Sequence, residues 1–425
     1  MKISSLLTAL IILISGTACG SLPTLEIPST PSTETTLQNP TPPVEVAYIK
    51  GGNVYLWKRD TNASTQYSSD GGAQAVTISN TGSLIVYLRD GALFFVKPVT
   101  DIQSKVLVSH SYLQALLPAG YSDYHIHQFE ILPDGHTVYF SVTTNSGSGG
   151  NDLFKIDSNS PLPVKVLGPG QGGNFHFSPD GHCYALARSN ELLLLCDDDS
   201  KKTVLSFPPT CGFGAGNGPE IVWKSDSSGF YIVTPSITAD TNQILARQDY
   251  WFITKAGQTQ LKTFFFSWLF DPTYISPEGS QVAYLVSSGK STTLHTVNLQ
   301  GVDNPYISFP EGEIGFMGWN PDSTRIVFWL MNDAIPRLAQ PNDFPLPLLT
   351  EQASLYALDD GTGTAIPNPV PVINGLRWMD NTTFLFEGNA GLYLEQLKGS
   401  ISTIDAGADW IGIGPGPSFD FPHNP

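Results

Sequence analysis

The residues of this chain best suited to chemistry sit in a short insert, Tyr121-Ser122-Asp123-Tyr124-His125-Ile126-His127. His125 and His127, two positions apart, fall on one face of a strand, and Asp123 aligns with them. Two imidazoles and a carboxylate can hold a metal, and with Tyr124 they can also grip a polar ligand. No further ligand is identifiable, so an ordinary polar strand edge is the plainer reading and no metal or cofactor is assigned. Asp197-Asp198-Asp199 lacks the spaced oxygens and distal Glu of an EF-hand, and reads as a solvated turn. A second candidate surface is the insert from Ile335 to Leu349, which carries Arg337, Phe344 and four prolines. If its apolar side chains cluster outside, they mark a contact with another molecule.

Cysteine supplies the other chemistry. A turn at Ser189-Asn190 pairs Arg188 with Glu191, and counting outward sets Cys183 opposite Cys196. Directly opposed residues have Cβ atoms ~4.5–5.5 Å apart, so a cross-strand disulfide competes with two buried thiols. Cys211 falls beyond the following strand. Catalysis has little support: there is no Gly-x-Ser-x-Gly elbow, His-Glu-x-x-His, P-loop or Gly-x-Gly-x-x-Gly.

The elements that must position these residues announce themselves by repetition. Leu132-Pro133-Asp134-Gly135, Ser178-Pro179-Asp180-Gly181, Ser276-Pro277-Glu278-Gly279 and Asn320-Pro321-Asp322-Ser323 recur, with looser copies near Ser79, Ser225 and Met379. Each copy precedes a β-rich run. Around the Ser178 corner the order is strand a (Phe175 onward), turn, strand b from Cys183, strand c to Cys196, and strand d from Thr203 to Phe207. Seven such units can be laid along the chain. A hairpin from Val46 to Trp57 at the start lacks strand a, and Trp410 to Ile413 at the end supplies a lone strand; together they complete an eighth. The fold class is therefore an all-β propeller of four-stranded blades, eight in number with seven as the alternative, closed by pairing the two ends of the chain. Phe264-Phe265-Phe266-Ser267-Trp268-Leu269-Phe270 is assigned to buried d and a strands.

These corners, with later runs such as Leu153-Phe154-Lys155-Ile156-Asp157 and Leu355 to Asp359, resemble the PD40-type WD40-like repeats of the TolB propeller and its relatives. The resemblance spans residues 46 to 421 and implies a propeller, and only loosely a job. The α/β domain that accompanies the propeller in that family is absent from this sequence, as is a hydrolase domain.

The first residues bear on the compartment. Lys2 precedes an apolar stretch from Ile3 to Ile14, too short to span a bilayer and suited to an export signal. Gly16-Thr17-Ala18-Cys19 resembles the lipobox of bacterial lipoproteins, which implies lipidation of Cys19; an ordinary secretory signal with a chance cysteine is the alternative. The boundaries are then a leader over 1–18, a Pro/Thr/Ser-rich tether over 19–43, a propeller over 44–421 and a tail over 422–425. This predicts a cell-envelope protein, anchored on the extracytoplasmic side of a bacterial membrane.

Of 425 residues, charged ones make up 14%, Gly numbers 40 and Pro 33, as suits short strands and tight turns. The net charge of -17 excludes an electrostatically driven nucleic-acid binder and favours a soluble monomer. In this strand order the a–b and c–d turns share one face, and the long d–a and b–c inserts share the other. That second face is where a protein or envelope glycan is expected to bind a non-catalytic scaffold. A glycan hydrolase or lyase, and the sensor domain of an envelope signalling system, are the alternatives. Acidic, His or Arg side chains converging on the inner strands would favour an enzyme.

Overall fold

The computed structural model describes residues 45–420 except 117–123, 145–151, 169, 189, 198–199, 208–218, 237–244, 269–272, 289–290, 310–312, 332–352, 360–361, 367–371, 389–390, 398–400 and 407–418. Blade 1 contains β1 (Glu45–Lys50), β2 (Asn53–Lys58) and β3 (Ala63–Gln66). Blade 2 follows with β4 (Ala73–Ile78), β5 (Ile85–Arg89), β6 (Ala92–Val96) and β7 (Lys105–Val108), and one short helix, α1 (His110–Ala115), leads out of it. Blade 3 has β8 (Tyr124–Ile131), β9 (Thr137–Thr144), β10 (Asp152–Asp157) and β11 (Ser160–Leu167). Blade 4 has β12 (Asn174–Phe177), β13 (Cys183–Ala187), β14 (Glu191–Cys196) and β15 (Lys201–Ser206). Blade 5 has β16 (Ile221–Trp223), β17 (Gly229–Pro235), β18 (Leu245–Thr254) and β19 (Thr259–Trp268). Blade 6 has β20 (Tyr274–Ile275), β21 (Gln281–Ser288), β22 (Ser291–Asn298) and β23 (Asp303–Phe309). Blade 7 has β24 (Glu313–Trp319), β25 (Arg325–Met331), β26 (Ala353–Asp359) and β27 (Thr362–Ile366). Blade 8 has β28 (Val372–Trp378), β29 (Thr383–Gly388), β30 (Gly391–Gln396) and β31 (Ile401–Ala406), and β32 (Phe419–Asp420) ends the described chain.

Among the described residues these strands form eight four-stranded antiparallel sheets. Seven are continuous in sequence. The eighth is composite, with strand order β3-β2-β1-β32, so β32 serves as the inner strand of blade 1. Ala47 pairs with Asp420 and Tyr48 with Phe419. The terminal-closure expectation thus holds with a different strand: Phe419–Asp420 closes the sheet, and Trp410 to Ile413 lie outside the described residues.

Packing explains why one face of each sheet is not enough. The buried apolar residues separate into eight clusters, and each lies between two successive blades. Ala47, Ile49 and Leu56 of blade 1 meet Val76, Ile85 and Tyr87 of blade 2. Val46, Tyr48 and Trp57, on the opposite face of blade 1, meet Leu385, Leu392 and Leu394 of blade 8. Alternate residues along one strand therefore serve alternate neighbours, as the period of two requires.

The corners have a role that repetition alone did not reveal. In six of the seven, a backbone N–H closes an i to i+3 turn, as Gly181 does on Ser178 (2.8 Å). The residue ending that turn has positive φ, +72° at Gly181 but also +57° at Ser227 and +61° at Ser323. A non-glycine residue is strained there. The compensation lies in the next blade's grip on the corner before it. Ser227 Oγ accepts from the Asp180 N–H (3.0 Å), Ser323 Oγ from the Glu278 N–H (2.9 Å), and Asn381 Oδ1 from the Asp322 N–H (2.9 Å). Lys255 of blade 5 adds an ion pair to Asp180 of blade 4 at 2.6 Å. Burial alone would raise the Asp180 carboxyl, but Lys255, Ser178 and the His182 N–H hold it down at about 2.

A second set of clamps uses tryptophan. Trp223 Nε1 donates to the His176 carbonyl (2.9 Å), Trp319 to that of Tyr274 (2.9 Å) and Trp378 to that of Gly318 (2.8 Å), each on the inner strand of the preceding blade. The tightest knot lies at the closure. Asp420, almost fully buried, accepts from Arg377 Nη1 of blade 8 (2.9 Å), Thr77 Oγ1 of blade 2 (2.7 Å) and the Ile78 N–H (3.0 Å). Nearby, Asp405 of blade 8 accepts from Tyr48 Oη (2.5 Å) and Lys50 Nζ (2.6 Å) of blade 1.

One buried assignment is corrected. Within the Phe264 to Phe270 run only part is core: Phe265 is 4% exposed, whereas Phe264 and Phe266 are 47% and 55% exposed. The run lies in an outer strand, β19, whose alternation sends every second ring outward.

Two outcomes are expected from these contacts. Asp420→Ala removes the bonds to Arg377, Thr77 and the Ile78 N–H, and should cost about 2–3 kcal/mol in denaturant unfolding; an unchanged midpoint would mean the ring does not rely on this latch. Ser227→Ala should cost about 1 kcal/mol, with Ser227→Gly costing less because it relieves the positive φ. Equal losses in the two variants would show that the hydroxyl clamp dominates over backbone strain.

Candidate functional site

Of the candidates in the 121–127 insert, three lie among the described residues. Tyr124, His125 and His127 are on the inner strand β8 rather than in a loop. Tyr124 is buried and its Oη donates to Asp152 Oδ2 (2.9 Å), an atom also bound by Lys165 Nζ (2.9 Å). That phenol is committed to the interior of blade 3. His125 is exposed. The register slips between Ile126 and Gln128, leaving His127 as a bulged residue whose Nε2 lies 3.1 Å from Asn174 Oδ1 of blade 4. Among the described residues no group of three His, Cys, Asp or Glu side chains is placed to hold a metal. Asp123, Arg337, Phe344 and Cys19 lie outside the described residues, as do Cys211 and most of the long d–a and b–c inserts.

Cys183 and Cys196 are direct register partners across β13 and β14 and are joined by a disulfide, with Cα atoms 4.1 Å apart. The bridge crosses the b and c strands of blade 4, away from the inner strand. Asp197, one residue on, has its carboxylate 2.7 Å from His182 Nδ1 and belongs to an exposed turn pair.

What does converge is a polar cluster on the inner strands of blades 3 and 4 and just ahead of that of blade 5: Gln128, Glu130, His176 and Glu220. Gln128 spans the gap between blades, its Oε1 accepting from the Phe175 N–H (3.1 Å) and its Nε2 donating to the Phe175 carbonyl (2.5 Å) and to Glu130 Oε1 (2.9 Å). Glu130 Oε2 accepts from the Phe177 N–H (3.4 Å), while Oε1 sits 3.1 Å from His176 Nδ1. Desolvation disfavours the imidazolium of His176, but the charge and hydrogen bond of Glu130, with Glu220 farther off, outweigh it and raise its pKa. Glu220 is pushed the other way from an ordinary carboxylate. Its confined setting raises it to about 8, against the pull of the Ile275 N–H (2.7 Å) and of His176. The cluster thus sets the Glu130 carboxylate against an imidazole whose proton affinity is raised, beside a Glu220 carboxyl pushed up to about 8.

This cluster was missed in the sequence because its members are far apart along the chain. The only local signal was polar residues alternating through a strand that leads into a corner, Gln128-Phe129-Glu130. Chemically it offers two carboxyl groups and an imidazole, with much of its hydrogen-bonding capacity already used to join blades.

No family model matches the chain, and no curated protein matches it. Solved structures do. A eukaryotic initiation factor structure aligns over 86% of this chain and 85% of its own at 12% identity and a TM-score of 0.51. Dipeptidyl peptidase 4 from Porphyromonas gingivalis aligns over 78% of this chain, which spans 52% of that enzyme, at 12% identity and a TM-score of 0.50. TolB from Acinetobacter baumannii aligns over 61% of this chain and 62% of its own, at 13% identity and a TM-score of 0.36. At these identities the likeness is one of fold, and the chain is a β-propeller.

The pH dependence of stability tests the electrostatics. Glu220 has a folded value near 8, above its ordinary 4.5. Its stabilising contribution is therefore complete below the ordinary value and is lost as pH rises through about 8. His176, also raised, acts in the same direction. Thermal midpoints measured from acidic to mildly alkaline pH should fall less steeply for Glu220→Gln than for the wild type; superimposable slopes would overturn the assignment.

Proposed function

We propose that this protein is a membrane-tethered, extracytoplasmic propeller acting as a non-catalytic binding or scaffold module for a protein or envelope component. The observation that carries the reading is the use made of the inner-strand polar groups. Gln128, Glu130, Glu220 and Asp420 each accept a backbone N–H from a neighbouring blade. Groups so committed serve poorly as acid, base or nucleophile, since proton transfer would loosen the ring they hold. They give instead a rigid platform, and a rigid scaffold is what lets long loops present a binding surface. The inserts that rise from the d–a and b–c side are the proposed contact face, and the Cys19 lipid is the proposed anchor, with two acyl chains needed for stable attachment.

A hydrolase or lyase acting on glycans is the second reading, favoured by one observation: Glu220 keeps its proton to about 8 beside His176. A carboxyl that holds its proton beside an imidazole can serve as a general acid. Turnover of a panel of acidic and neutral oligosaccharides, lost in Glu220→Gln, would replace the first reading with the second.

For the first reading, Cys19→Ala should move the protein from the membrane fraction to the soluble fraction of the envelope, while full retention would sink the lipid anchor. In native envelopes, crosslinkers placed on the inserts should trap a discrete partner, and a variant lacking residues 336–349 should lose it with an unchanged thermal midpoint. Loss of folding in that variant would make the insert core instead of contact surface.

A further inference from the structure

Among the outer strands, β19 stands apart. It runs for ten residues, against four in β3 and β7, five in β27, six in β15 and β31, seven in β23 and eight in β11. Outer strands expose a row of backbone N–H and C=O groups and are normally blunted by brevity, proline or charge. The others follow that rule: β11 contains Pro161 and Pro163, β23 has Asp303 and Pro305, and β15 begins with Lys201 and Lys202. β19 has no proline, one charged residue, Lys262, and three exposed apolar side chains, Leu261 at 41%, Phe264 at 47% and Phe266 at 55%. Among the described residues no strand pairs with its outer edge.

The exposed rings are held in place. Phe264 and Phe266 pack edge to face with centroids 6.2 Å apart, and the Arg247 guanidinium lies over Phe264 at 4.1 Å. Arg247 is itself fixed by Asp249 at 2.7 Å, a carboxylate that is nearly buried. Beneath them Phe265 packs on Tyr284 of blade 6 at 4.4 Å. The patch is thus a preformed aromatic ridge on a rigid hairpin, which lowers the ordering cost of any contact made there.

Charge narrows the occupant. The chain carries a net charge of -17, yet neither β15 nor β19 contains a carboxylate. Lys201 and Lys202 are exposed on the outer strand of blade 4, and Lys202 reaches the blade 5 turn at Ala256 (3.1 Å). A second copy of this chain would set cations against cations and add the repulsion of two acidic bodies. We propose that β19 is a docking edge for an extended segment of a partner protein, one with apolar residues at alternate positions and acidic residues flanking them. The segment would add a strand to blade 5: the main chain supplies affinity, while Leu261, Phe264 and Phe266 select apolar side chains and Lys262 with Lys201 and Lys202 select the acidic flanks.

The test uses the full chain and synthetic peptides alternating valine and threonine, with aspartates at both ends. Binding is followed by fluorescence anisotropy and by hydrogen exchange of the 259–268 amides. The aspartate-ended peptide should bind and slow exchange across β19. A lysine-ended peptide, one with proline at alternate positions, and the wild-type peptide on Phe264→Ser/Phe266→Ser should each bind at least about tenfold more weakly. Lys262→Glu should weaken binding while leaving the thermal midpoint unchanged, which separates recognition from folding. Equal binding of both charge types, or undiminished binding to the double serine variant, overturns the proposal. So does a concentration-dependent dimer, or adhesion to anionic vesicles, that the double serine variant abolishes, since the edge would then serve a second copy or a lipid surface.

Discussion

The whole ring depends on a two-residue pairing. Each hydrophobic cluster lies between blades, so every sheet needs a neighbour on both sides to bury its two faces, and a propeller left open exposes two apolar faces at once. Blade 1 obtains its inner strand only from Phe419–Asp420. Two residues of ladder are weak by themselves, and Asp420 supplies what the ladder lacks by binding blades 8 and 2 simultaneously. The carboxylate is shielded from water and fully matched with donors, the condition under which a buried charge stabilises.

The rest of the ring is joined by the same economy of contacts. Corner hydroxyls grip the preceding corner, tryptophan indoles cap preceding carbonyls, and carboxylates or amides on inner strands accept the next blade's N–H groups. Each inner strand is the edge of its own sheet and is paired on one side only, so its free backbone groups need partners from side chains of the neighbouring blade. The polar cluster of Gln128, Glu130, His176 and Glu220 is the place where that requirement brings titratable groups together, and its unusual proton affinities follow from crowding charges where solvent access is restricted.

The fold was legible in sequence because its signals are local. A Pro-Asp-Gly corner and a period of two are visible within a dozen residues, and Cys183 falls opposite Cys196 by counting along one hairpin. What joins blades was not legible. Trp223 meets the carbonyl of His176, a residue 47 positions earlier, and nothing in either residue's surroundings announces the pairing. Trp410 to Ile413 reads as the closing strand because a lone terminal strand complements a blade that lacks its strand a, whereas the strand that pairs carries a carboxylate and its three donors. The triple phenylalanine reads as interior from its place before the Ser276 corner. In β19 only the pleat decides, sending Phe265 in and its neighbours out. A bulge at His127, invisible to a count of alternate residues, sets its Nε2 against Asn174 of the next blade.

The latch has a consequence for how the molecule comes into being. A ribosome makes blade 1's outer strands first and its inner strand last, so the earliest segment of the propeller waits for the latest. Until Asp420 is available, blades 2 to 8 can stack on one another but both ends of the stack remain uncovered. Completion is therefore registered at a single place, and a chain that stops short of Phe419 would carry nearly all of its blades and still be recognisable, to a protease or a chaperone, as unfinished.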